Sequence, residues 1–436
     1  MNFYSTRNRR SSIPLRNAIL QGVAADGGLY MPTAIPSLPR AFFNNIPAMS
    51  AGEIAYIITN TFFGNDVDSE TIKSIVSRSI DFDIPVVPIG DTGISSLELF
   101  HGPTLAINDL GSQFMARLLF HFTPGRKPLN ILVATSGDAG SAVAAGFHDM
   151  PGVRVFILYP SGKVTDFQEA QFTTMGRNVT AIEVYGDFDD CQKLVQRALM
   201  DPEIAQRIPL TSANSINIGR LLPQTMYFFH GYARLIESGV NPDEIVISVP
   251  CGNLATLTAG VIAKRMGLPI KRFVATGSRG CFFSRFMATG EMSPVKTGRS
   301  IMAGIDVSHP SNIDRIIDLY NGDRQAMARE ITPVEIDDAR ALSTIAEVDS
   351  RYGYLFDPHG AATYAALADE IKPGEAGLVV AAAHPVKYRR VVSNAVDRPV
   401  DLPGHVSDIF TRPRHRKRLH PVYPDFKEYL LTHSYT

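Results

Sequence analysis

A doubly covered, largely parallel α/β fold follows from three observations. From about position 97 onward, short apolar runs rich in β-branched residues alternate with helical segments, the pattern of strand–helix–strand units. Glycine turns, at Gly137 and Gly252, stand where such a run hands over to a helix. A chain of 436 residues that is 45% hydrophobic and 19% charged can also bury both faces of its sheets, which excludes wholesale disorder.

The elements follow in order. Residues 5–91 mix helical periodicity with loops; within them SAGEIAYIITNTFF, from Ser50, spaces its apolar residues as a helix, with Ser50 as N-cap and Glu53 completing a capping box. Residues 85–93, rich in Pro and Gly, read as a connection. NILVATS from Asn130 is a strand, the turn at Gly137 follows, and an Ala-rich helix covers 141–149. Strands begin again at Val153 and Val179, and Asp187 opens a helix. A strand from Ile245 enters the Gly252 turn and a helix that runs to about Met266; strands from Ile270 and Leu378 complete the buried set. Ligands in such sheets sit at the carboxyl ends of the strands, where these turns lie.

Charge and cysteine usage narrow the function. Forty-two basic against 43 acidic residues leave no electrostatic footprint for nucleic acid or an anionic membrane. Cys191, Cys251 and Cys281 are too scattered for a disulfide framework or a zinc site, no His, Asp, Glu or Cys spacing argues for any metal, and Cys251 reads as an inert buried thiol. The N-terminus shows no apolar signal core, and apolar stretches such as 377–383 are too short to span a bilayer, so a cytoplasmic protein is expected. The basic run from Arg412 to Arg418 reads as a solvated loop, with an anionic partner or a subunit contact as the alternative. Backbone N–H groups at Gly turns, beside clustered Ser, Thr, Asn and Arg, favour a small anionic ligand. Asp138 could be a helix N-cap or a ligand-facing base, and His359 and His384 could be satisfied core histidines or proton carriers.

Several segments, in collinear order over nearly the whole chain, carry a resemblance. They include YSTR from Tyr4, GVAADGGLYMP from Gly22, HGPTLAINDL from His101, TSGDAG from Thr135, NSINIGR from Asn214, GNLAT from Gly252, DPHGAA from Asp357 and AHPVKY from Ala383. Together they resemble threonine synthases. The resemblance implies a fold-type II pyridoxal-phosphate (PLP) architecture, tryptophan synthase β-like, with two parallel-sheet lobes over 96–436 and a threonine-synthase-type N-terminal domain over 1–95. It implies that Asn214, Ser215 and Arg220 bind the phosphate of an O-phosphohomoserine-like substrate, and that Thr135, Ser136, Gly137 and Asp138 receive its amino-acid end. His101 to Thr104, Asp109 and Lys387 also match.

The chain departs from the family at cofactor positions. Asn108 stands where the family has its PLP lysine, beside Ile107 in place of an aromatic residue, and an amide is not a nucleophilic amine. In the phosphate turn Gly252 and Asn253 remain, but Ala255 and Thr256 replace the second glycine and its neighbour. Ala382 replaces a threonine facing the pyridine nitrogen. Asn108, Gly252, Asn253, Ala255, Thr256 and Ala382 are thus expected to be remnants of a cofactor site in a chain without PLP. The expected function is binding or conversion of a small phosphorylated amino-acid-like substrate by phosphate elimination or displacement, a lyase, with Asp138, His384 or Asn108 at the chemistry. The alternatives are a non-catalytic binder and threonine synthase with its lysine replaced. Monomer and homodimer both stay open.

Overall fold

The computed structural model describes residues 1–123, 128–298 and 300–434. The chain forms two compact units, each assembled from separated stretches: residues 1–33, 108–220 and 402–436 in the first, 34–107 and 221–401 in the second.

In the first unit a five-stranded, wholly parallel sheet runs in the order Lys417–Leu419, Val179–Val184, Val153–Pro160, Leu129–Ala134 and Leu210–Ser212. Its central strands are apolar on both faces because helices cover both, the expected signature of a buried parallel sheet. The first residues form a separate antiparallel sheet, Asn8–Pro14, Asn2–Ser5 and Tyr30–Pro32, which periodicity did not reveal. The second unit holds a six-stranded sheet in the order Ile331–Ile336, Arg272–Ser278, Ile245–Pro250, Ala376–Ala381, Ile94–Glu98 and Val86–Pro88, parallel except at the last pair.

Local signals predict the helix starts well. Ser50 and Glu53 form a reciprocal capping box on the helix Ala51–Phe63, and Asp187 and Asp190 form another on Phe188–Leu199. Two expectations need correction. Residues 86–88, within the expected connection, are an edge strand, a place that tolerates proline because its outer N–H row needs no partner. The basic run is not simply a solvated loop. Lys417–Leu419 joins the sheet beside Val179–Val184, Arg416 and Arg418 bind Glu183, and Arg414 binds Glu169.

The C-terminal helix Tyr423–His433 buries Tyr423, Phe426 and Leu430, and one carboxylate ties it to a neighbouring helix. Asp201 caps the helix Pro202–Arg207 by accepting from the N–H groups of Glu203 and Ile204, while its other oxygen accepts from Lys427 Nζ at 2.8 Å and Tyr423 Oη at 2.7 Å. Lys427, then Tyr423, hold the Asp201 carboxyl well below its usual range. A depressed folded-state pKa means that stability is present above the unfolded carboxylate value near ~4 and is lost as pH falls through the folded value. Asp201→Asn should therefore flatten the acid limb of the unfolding-midpoint-versus-pH curve below about pH 4. An unchanged acid limb would remove Asp201 as its source. Among the described residues no helix is long and apolar enough to cross a membrane.

Candidate active site

Each unit carries one cluster of the expected residues. In the first, the strand Leu129–Ala134 runs into the turn Thr135–Asp138 and the helix Asp138–Phe147. Gly137 has φ 139°, and a Cβ there would meet the Gln168 side chain at 2.4 Å, so only glycine fits. The buried Thr135 hydroxyl accepts from the N–H groups of Gly137 at 2.9 Å and Gly140 at 2.8 Å, holding the turn in shape. Ser136 and Asp138 are half-buried. Gly137, rather than Asp138, is the N-cap, and Asp138 Oδ1 accepts from Gln168 Nε2 at 2.8 Å.

The second segment of the cluster is tied to the first. Asn214 uses both ends of its amide on Ala134: Nδ2 donates to its carbonyl at 2.8 Å and Oδ1 accepts from its N–H at 3.1 Å. It thereby fixes the strand end from which Thr135 leaves. Ser215 is buried beside it. Asn217, which motif reading passed over, is wholly buried and donates to the carbonyls of Ile19 and Ser212, anchoring the short helix Ile218–Leu221. That helix carries Arg220, 1% exposed, whose Nη1 donates to Ala213 O at 2.5 Å and Nη2 to Asn108 Oδ1 at 3.0 Å. Asn108 begins the helix Asn108–Phe122, and the following Asp109 is buried.

In the second unit two motifs nearly 280 residues apart converge. Ile107 N–H donates to Ala382 O at 2.7 Å, His384 N–H donates to Leu105 O at 3.1 Å, and buried Lys387 Nζ donates to Thr104 O at 2.7 Å. His384 Nδ1 accepts from Val386 N–H at 3.1 Å and caps the short helix Pro385–Tyr388, so in the neutral ring the proton sits on Nε2. His101 Nε2 meets Glu98 Oε2 at 2.6 Å, and Glu98 Oε1 accepts from Tyr354 Oη at 2.7 Å. Burial, then the Glu98 charge, pushes the Tyr354 hydroxyl far up. No spacing rule could have paired Tyr354 with Glu98 across 256 residues.

The Gly252–Thr256 turn opens the helix Ala255–Arg265. Leu254 lies in the left-handed region at φ 62°, and Asn253 Oδ1 accepts from Ala255 N–H at 3.0 Å. Asn312 braces the turn from behind, donating backbone and side-chain N–H to Asn253 O, each at 3.1 Å. It in turn accepts from buried Arg315, whose guanidinium is pushed down to about 9 by burial. A Cβ on Gly252 would stand 2.0 Å from Gly304 O. Gly252→Ala should therefore cost ~1–3 kcal/mol of stability, because backbone must move; an unchanged denaturation midpoint would contradict this packing.

His359 is fully engaged: Nδ1 donates to Asp357 Oδ2 at 2.7 Å and Nε2 accepts from Gly304 N–H at 3.0 Å. The ring is a structural clamp with neither nitrogen left for proton transfer. Desolvation pushes the buried Cys251 thiol well up, as an inert thiol requires. Among the described residues no group of three or more His, Cys, Asp or Glu side chains could hold a metal ion.

Comparison with known proteins decides the family. Residues 96–382 match the sequence model described as pyridoxal-phosphate dependent enzyme, and residues 2–80 that of the threonine synthase N terminus. Threonine synthase of Escherichia coli is 36% identical over the whole of both chains. This chain belongs to the threonine synthase family. The E. coli crystal structure matches with a TM-score of 0.95 at 35% identity, covering all of both chains. PLP-bound threonine synthase from Brucella melitensis matches with a TM-score of 0.90 at 29% identity, again over both whole chains. The fold-type II α/β architecture is thereby shown.

These matches correct the expectation of a chain without PLP. The domain that contains Asn108 and Ala382 is that of a PLP-dependent family, and a full-length relative is PLP-bound. Differences at those positions do not place the chain outside that family. The residues fit the cofactor at its phosphate end: the glycine turn and the first N–H groups of an 11-residue helix suit a phosphate. Position 108 offers an amide and not an amine, and Ala382 offers its ring nitrogen no side-chain partner.

Proposed function

We propose that this chain binds a small phosphorylated, amino-acid-like substrate and eliminates or displaces its phosphate, as a carbon–oxygen lyase of the threonine synthase family. The observation that carries this reading is the buried Arg220 guanidinium, seated on two neutral oxygens in the same unit as the Thr135–Asp138 turn. A planar guanidinium suits a phosphate dianion. Ser215 completes the phosphate side, while Ser136, Gly137 and Asp138 meet the amino-acid end on a turn that Thr135 and Asn214 hold in place. Asp138, on that turn, accepts the proton, and Arg220 stabilises the departing phosphate. Asn108 is neither acid nor base, because an amide does not titrate near neutral pH.

The Gly252–Thr256 turn would hold the phosphate of pyridoxal phosphate, which would supply an electron sink for negative charge beside the substrate's amino group. The identity of 36% over the full length of a threonine synthase favours a second reading, the threonine synthase reaction itself. Incubation with O-phospho-L-homoserine and PLP separates the two: phosphate with threonine marks synthase chemistry, phosphate without threonine marks elimination. If neither this compound nor its hydroxy-acid counterpart releases phosphate, the lyase reading falls.

A further inference from the structure

Asn108 does not behave in this structure as a gap left by another side chain. It starts the 15-residue helix Asn108–Phe122, so its backbone is held by a rigid element, and its Oδ1 lies 3.0 Å from Arg220 Nη2. The opposite end of the guanidinium is held by Ala213 O, on a segment that Asn217 anchors through Ile19 O and Ser212 O. Arg220 is therefore gripped between two oxygens from independent elements. A guanidinium has donors only, so the residue opposite Nη2 must present an acceptor. An amide does so by turning Oδ1 inward, since Nδ2 in that place would set donor against donor. A lysine ammonium there has three donors and no acceptor, and it would set a second cation against a buried guanidinium.

We infer that Asn108 is a positioning residue for substrate phosphate: its side-chain oxygen aims the Arg220 guanidinium and so sets the affinity for the phosphorylated end of the ligand. The inference rests on the reading of Arg220 as the phosphate-binding residue. It deepens that reading by making position 108 part of substrate recognition. A neutral oxygen orients Arg220 without adding a negative charge of its own, whereas a carboxylate would orient it and add one.

The test is a double-mutant cycle on the full chain in saturating PLP, read by calorimetric titration with two probes. One is the non-hydrolysable phosphonate isostere of O-phosphohomoserine, with CH2 in place of the ester oxygen. The other is norvaline, the same amino acid without the phosphonate. Asn108→Ala should weaken phosphonate binding roughly 10- to 100-fold, the effect of losing a hydrogen bond to a charged group, and leave norvaline binding unchanged. On an Arg220→Ala background the same substitution should have no further effect, because the two residues act as one unit. Asn108→Asp, which keeps the acceptor and carries the test if the alanine variant does not fold, should weaken phosphonate binding by neutralising the guanidinium while retaining thermal stability. Wild-type phosphonate affinity in both Asn108 variants, an additive cycle, or parallel losses for phosphonate and norvaline would each overturn the positioning role. Wild-type phosphonate affinity in Arg220→Ala alone would overturn instead the reading of Arg220 on which it rests.

Discussion

Arg220→Ala should lower kcat/KM for a phosphorylated substrate by about two orders of magnitude or more, the usual cost of truncating a buried charged partner. The loss should appear chiefly in KM, since the guanidinium holds phosphate in the ground state as well as in the transition state. The same substitution leaves Ala213 O and Asn108 Oδ1 without a donor that both now share. Stability should fall by ~1–3 kcal/mol on that account, measured by chemical denaturation. Arg220→Lys separates charge from shape. A lysine keeps the positive charge but cannot span two oxygens on either side of a planar fork, so it should recover only part of the affinity. Full recovery by lysine would show that charge alone matters here, and an unaffected kcat/KM in the alanine variant would remove Arg220 from the site.

Asp357→Ala should cost the second unit about 2–4 kcal/mol of stability, a lost cap plus a buried donor left unpaired. The carboxylate is 1% exposed and caps the helix Pro358–Glu370, accepting from Gly360 N–H at 2.8 Å, His359 N–H at 3.1 Å and His359 Nδ1 at 2.7 Å. Cap loss accounts for ~1 kcal/mol, and the remainder comes from a buried imidazole whose tautomer is no longer set. That tautomer matters beyond the helix. His359 Nε2 must stay unprotonated to accept from Gly304 N–H, and Gly304 O packs directly against Gly252 in the Gly252–Thr256 turn. Asparagine should not rescue: an amide nitrogen facing His359 favours the other tautomer, which sets a donor against Gly304 N–H. A denaturation midpoint within experimental error of wild type in either variant would sink this account.

The two predictions rest on residues that motif reading treats very differently. Arg220 is visible in the sequence because NSINIGR stands in a familiar order. His359 is visible too, but only as a histidine with two possible roles, and the choice between clamp and proton carrier depends on Gly304, which lies 55 residues away. Thr135 and Asn214 illustrate the same gap at closer range. Both belong to the candidate site, yet their polar groups are spent on the backbone of Gly137, Gly140 and Ala134, and they shape the turn that carries Ser136 and Asp138. Asn217 and Tyr354 left no signal of their own, since the partners that fix them, Ile19 and Glu98, lie far away in sequence. The basic run misled for an electrostatic reason. Five basic side chains within seven residues look solvated until Glu169 and Glu183, more than 230 residues upstream, arrive on a neighbouring helix and strand.

Local chemistry was readable without coordinates: the capping box at Ser50, the helix opening at Asp187, the apolar strands ending in glycine turns, the collinear family motifs, and the fact that position 108 carries an amide. Each of these is settled within a few residues, by hydrogen bonds that close one helical turn or by a side chain's own composition. What that amide does was decided only by the tertiary structure. The bond from Arg220 to Asn108 spans 112 residues. It exists because separate anchors, a long helix on one side and the Asn217-bound segment on the other, bring an acceptor to within 3.0 Å of a buried donor.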